Sequence, residues 1–145
     1  MGNSGGLAIL ISRILFGLVF VAFGIIGLFQ IGEQPEPAPE AGAFVEAMME
    51  TGYLFQMVKI TEIACGAALL SGFFVPLALI VITPIVVNIA AFHIFLDPSG
   101  QGLAVTAVIV ALLAYLTYKH WDTYKPLVRA KPSTQTSNAE AESAE

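Results

Sequence analysis

The sequence predicts an all-α integral membrane protein, a four-helix bundle with both termini cytoplasmic, and three observations carry that reading. Of its 145 residues, 57% are hydrophobic and only 12% are charged, about half the ~25% charge of an ordinary soluble domain. The chain holds four apolar runs, each close to the ~20 residues that cross a hydrocarbon layer of ~30 Å. Its positive residues also gather at one side of those runs. Six Lys or Arg and eleven Asp or Glu cannot cover the surface of a water-exposed domain of this size.

The spans follow in order. The first runs from Leu7 to Ile31, interrupted only by Ser12, Arg13 and Gln30, after a short segment at residues 1–6. It exceeds the core of a signal peptide, and no small-x-small cleavage site follows it, so it is read as a retained helix. The uncharged stretch Ile63–Leu96 is too long for one helix and breaks at Ser71-Gly72-Phe73-Phe74-Val75-Pro76, where Gly72 ends one span and Pro76 opens the next. The second span therefore covers about residues 54–72 and the third about 74–96. A turn sequence, Asp97-Pro98-Ser99-Gly100-Gln101-Gly102, leads into the fourth at about 103–121.

Residues 32–53 connect the first two spans outside the membrane. Glu33 to Glu40 is proline-rich and acidic, hence stiff and extended. A short amphipathic helix follows, with Phe44, Val45, Met48 and Met49 on one side and Glu46 and Glu50 on the other, suited to lying at the headgroups. Residues 122–145 form a polar tail, disordered from about residue 130.

Orientation follows from charge. Lys119, Lys125, Arg129 and Lys131 lie just beyond the fourth span and Arg13 near the start of the first, while the first connection carries five glutamates and no Lys or Arg. The positive-inside rule places both termini in the cytoplasm. Tyr115, Tyr118, Trp121 and Tyr124 fit an aromatic belt at that interface.

Polar groups inside spans mark candidate sites, because a charge at mid-bilayer costs about 2.5 to 3.5 kcal/mol on insertion scales. Glu62 falls near the middle of span two, and Lys59, three residues earlier, shares its face. Two readings stand: a salt bridge that holds helices in register, or a proton-accepting or ligand-binding carboxylate. Span three contributes Asn88 near its middle and His93 nearer the outside, with Asp97 one turn further. The plain roles are an interhelical hydrogen bond for Asn88 and an interfacial histidine oriented by Asp97. The functional version is a polar pocket of Lys59, Glu62, Asn88 and His93 in the outer half of the bundle. Arg13 is read as snorkelling to inner-leaflet phosphate. Small residues at helix-contact spacing, Gly17 and Gly24 in span one and Ala64, Ala68 and Gly72 in span two, are read as packing stripes.

Several classes are excluded. A net charge of −5 without a basic cluster argues against nucleic acid. One cysteine, Cys65, rules out an intrachain disulfide, and no metal site is expected. His93 and His120 lie toward opposite ends of the membrane, so a bis-His haem within a monomer is excluded. No covalently bound cofactor and no complete catalytic constellation are expected.

The chain resembles the DoxX-like family of small four-helix membrane proteins over roughly Ser12 to Tyr118. Arg13, Gly17, Phe20 and Gly24 carry the resemblance in the first span, Glu62, Gly66 and Gly72 in the second, and His93 at the end of the third. The acidic proline-rich connection, the polar tail and Lys59 beside Glu62 depart from that pattern. The resemblance implies a bundle of the bacterial inner membrane linked to redox partners, similar to a quinone-reducing oxidoreductase subunit or to a membrane anchor for oxidative-stress enzymes. The leading expectation is an accessory subunit of a larger, redox-linked membrane complex, in contact with other subunits or with further copies of itself. A quinone-binding oxidoreductase subunit, with Glu62 and His93 at the site, comes second, and a small-solute carrier third.

Overall fold

A computed structural model describes residues 3–32 and 36–128. The described elements are α1 (Asn3–Phe29), α2 (Pro39–Glu50), α3 (Leu54–Ser71), α4 (Val75–Phe95), α5 (Gly100–Lys119) and α6 (Trp121–Tyr124). Four of them, α1, α3, α4 and α5, are long and apolar enough to cross a membrane, and no strand occurs among the described residues. The chain is an all-α, multi-pass membrane bundle.

Each span turns one narrow apolar face inward, at the three- and four-residue spacing of helix packing. Phe16, Phe20, Leu69, Leu79, Ile82, Val86, Ile109 and Leu116 form the core, and the Phe16 and Phe20 rings stand edge to face with centroids 4.9 Å apart. The outward faces are equally apolar: Leu77 is 57% exposed, Ile60 56% and Val108 55%. Apolar side chains on both sides of each helix leave hydrocarbon as the only solvent that suits them.

The helices run alternately up and down, in the ring α1, α3, α4, α5. Contact is most extensive between α1 and α3, and glycine explains why. A Cβ at Gly17 would fall 2.9 Å from the Gly66 carbonyl oxygen, and one at Gly66 would fall 2.8 Å from that of Gly17. The two backbones touch where a side chain on either would hold them apart.

The turn from α3 to α4 is built as its sequence demands. Gly72 has φ +80°, the left-handed conformation that glycine alone adopts freely, and its N–H closes on the Ala68 carbonyl. Pro76 sits in the first turn of α4, where no N–H is needed. Arg13 lays its guanidinium over Gly72, occupying the place of a side chain. Arg13 thus stands level with the α3–α4 turn, and the first part of α1 runs past that turn.

Three boundaries differ from expectation. α1 begins at Asn3, so much of the segment before Leu7 is helical. α5 begins at Gly100 instead of Leu103, because the Ser99 hydroxyl accepts from the Gly102 N–H at 3.2 Å and turns a glycine-rich stretch into a capped first turn. α2 begins at Pro39, so Glu40 is helical, as proline at the first position allows. Glu33 to Pro35 and the tail beyond Val128 lie outside the described residues. Tyr124, assigned to the polar tail, is instead buried and donates to the Pro76 carbonyl at 3.0 Å.

Candidate functional site

Glu62 is the ninth of the 18 residues of α3, and the inward register of Glu62, Cys65, Gly66 and Leu69 carries it into the bundle. Its carboxylate is 2% exposed. Lys59 Nζ donates to Glu62 Oε2 at 2.9 Å, an i, i+3 pair on one helix face. Lys59 is 19% exposed, with its ammonium 5.6 Å from the Phe55 ring centroid, one turn nearer the start of α3.

Two glycines of α1 make room for the pair. A Cβ at Gly27 would lie 2.8 Å from both Lys59 Cδ and Lys59 Cε, and one at Gly24 would lie 3.1 Å from the Lys59 carbonyl oxygen. The lysine stem therefore runs in a channel on α1, and the ion pair is enclosed between two helices instead of projecting into lipid.

His93 occupies a different place. Its Nδ1 lies 3.4 Å from the Asp97 carbonyl oxygen and 3.6 Å from Asp97 Oδ2, and the ring rests against Gly102 at the start of α5. It stands edge-on to Phe92, 5.2 Å between centroids, and Phe92 meets Phe44 of α2 at 6.0 Å. This is a corner joint of α2, α4 and α5. No hydrogen bond or ion pair among the described residues links His93 to Lys59 or Glu62.

Asn88 is exposed on the outer surface of α4. The four-residue pocket of Lys59, Glu62, Asn88 and His93 is therefore corrected to an enclosed pair, a corner histidine and an outward-facing amide. The cause is helical geometry, since Asn88 follows the inward-facing Val86 by about 200°. Among the expected packing residues, Gly17, Gly24 and Gly72 lie at contacts between helices and Ala68 packs on the core. Ala64 is corrected to an outward position.

One polar residue was not singled out from sequence. Thr106 is 5% exposed, and its Oγ1 is buried without a hydrogen-bond partner. It shares the inward face of α5 with Ile109, Leu113 and Leu116. Six residues into α5 is about 9 Å from the N-terminal end of that helix, and Lys59 and Glu62 lie about 8 and 12 Å from the N-terminal end of α3, so the three share a depth. The three- and four-residue spacing from Thr106 to Leu116 is the signal that could have placed it.

Two surface hollows, of about 220 and 400 Å³, lie away from the ion pair. They adjoin one another between α4 and α5 near α6, sharing Thr83, Thr117 and Trp121. Both are shallow, apolar and open to the membrane side.

Comparison with known proteins fits this arrangement. Neither curated proteins nor solved structures provide a match. The family model described as DoxX matches residues 8–95, which takes in α1 to α4 and more than half of the 145 residues. With its four membrane-crossing helices and its glycine-lined α1–α3 contact, the chain belongs to the DoxX family.

Proposed function

We propose that the protein is a small integral subunit of a larger, redox-linked complex in the bacterial cytoplasmic membrane, contributing helix packing and partner contacts, with both termini in the cytoplasm. The observation that carries the packing role is the enclosed Lys59–Glu62 pair, 2.9 Å apart and seated against Gly27. A carboxylate paired inside its own helix and covered by a neighbour acts first as a register device between α1 and α3. The orientation draws on Lys119 and Lys125 at the termini end, against five glutamates in the first connection. The redox link draws on the family resemblance.

The second reading, a quinone-binding oxidoreductase subunit, is favoured by one observation. The unpartnered Thr106 hydroxyl lies at the depth of the ion pair, and a ligand carbonyl there would satisfy it.

Gentle extraction from native membranes separates these readings. A stoichiometric protein partner that co-migrates with the chain is the expected result, and a chain that migrates with lipid alone overturns the subunit role. Replacement of Glu62 by Gln adds a second arm. Loss of the protein from the membrane supports the packing role, whereas normal accumulation with abolished quinone turnover moves the assignment to the second reading.

A further inference from the structure

A polar side chain facing hydrocarbon normally finds a hydrogen-bond partner in its own helix. Three residues in the spans do so: Thr61 donates to the Met57 carbonyl at 2.8 Å, Ser71 to Ala68 at 3.0 Å and Thr83 to Leu79 at 2.6 Å. Asn88 is the contrast. It is exposed on α4, and it makes no side-chain hydrogen bond among the described residues. Seven residues before Phe95, it lies about 10 Å below the outer end of the helix, within the apolar layer.

Its neighbours on that face are ordered. Leu77, Val81, Pro84, Asn88, Ala91 and Phe95 follow one another at alternating steps of four and three, the seam of a left-handed helix pair. Leu77 is 57% exposed, Val81 41% and Phe95 79%, and Ala91 is half-buried, so the chain's own helices leave most of this seam uncovered. The inward face of α4, with Ala78, Leu79, Ile82 and Val86, is a separate stripe already occupied by the core.

We propose that this seam is the interface of a homodimer in the membrane, in which two copies pair α4 against α4 in parallel and the two Asn88 amides hydrogen-bond to each other. The chemistry of the amide selects the partner. Two copies inserted in the same sense are related by a two-fold axis along the membrane normal, which sets each seam residue opposite itself at equal depth. A carboxamide carries both donor and acceptor, so Asn88 satisfies itself across that axis. A different protein would need its own polar group at this depth on a matching heptad. A single asparagine in an apolar seam also fixes register and the number of strands.

The test uses cysteine cross-linking in membranes, on full-length protein with Cys65→Ala, which removes the one native thiol, buried in the core. With a copper phenanthroline oxidant, Val81→Cys and Phe95→Cys are expected to give disulfide-linked homodimers. Val108→Cys, 55% exposed on α5, is the off-seam control and is expected to give none. Adding Asn88→Leu should lower the dimer yield of Val81→Cys by roughly fivefold or more, with Asn88→Gln partly restoring it. Seam yields no greater than that of the control, yields indifferent to Asn88→Leu, or adducts with another protein in place of homodimers would overturn the proposal. Thermal unfolding of the Asn88→Leu protein at monomer dilution is expected to match that of the native chain. A drop would place the residue's role inside the bundle and overturn the proposal as well.

Discussion

The α1–α3 pair and the α4–α5 pair solve the same problem by different means. Between α1 and α3 the backbones meet at Gly17 and Gly66, and the Lys59 stem fits against Gly27. Between α4 and α5 the helices are held apart by Leu, Ile and Val side chains, Pro84 withholds an N–H from the Ile80 carbonyl, and shallow hollows open beside Thr83 and Thr117. A backbone contact tolerates only hydrogen at its closest atoms, whereas a layer of branched apolar side chains accepts exchanges of similar volume. The first pair is thus specified residue by residue and the second by composition. The DoxX match spans both members of the first pair and, of the second, α4 alone.

Perturbing each pair tests the contrast. The largest effect is expected from Lys59→Met, which leaves the 2%-exposed Glu62 carboxylate without its cation and costs about 3 to 5 kcal/mol. Unfolding titration in detergent measures it, and the double change Lys59→Met with Glu62→Leu should recover most of the loss. Gly66→Ala comes next. The added methyl would meet the Gly17 carbonyl oxygen at 2.8 Å and the Val21 nitrogen at 2.9 Å, both backbone atoms, so a loss of about 1 to 3 kcal/mol is expected. Ala114→Leu, on the exposed side of α5, should change stability by less than about 0.5 kcal/mol. Equal losses at the two sites would erase the distinction between the pairs.

Smaller effects sharpen it. Gly27→Ala meets only the flexible end of Lys59, so its cost should fall below that of Gly66→Ala in the same titration. Tyr124→Phe removes the bond to the Pro76 carbonyl that ties α6 to α4, a loss of about 1 kcal/mol. Burial pushes the Tyr124 phenol above its ordinary value. The stabilisation it gives is therefore complete below the unfolded value of about 10 and lost as pH rises through the higher folded value. Stability scans at alkaline pH should show a decline in the native protein that is weaker in Tyr124→Phe.

The sequence disclosed the spans because crossing hydrocarbon needs length and apolarity, and both are local properties. It disclosed the Lys59–Glu62 pair because three-residue spacing on a helix fixes proximity. It was silent on direction. In a water-soluble helix the polar face points outward, but here core and surroundings are both apolar, so the pattern of α4 does not say which side is inside. That is why the sequence points Asn88 at a helix contact and leaves Thr106 unmarked, and why it offers Ala64 for packing where Gly66 makes the contact. Which glycine of α3 meets which glycine of α1 is a property of the register between helices, beyond the reach of spacing within either one.

The bare hydrogen at Gly27 reaches further than its own helix. Because the Lys59 stem passes through the space a methyl group would fill, the two positions are not free to vary separately. Through evolution, a side chain at 27 too large for the Lys59 stem to step around should be admitted only alongside a shortened residue at 59, and an acidic residue at 62 should then give way as well. Inheritance would tie these three sites into one unit, although only two of them share a helix.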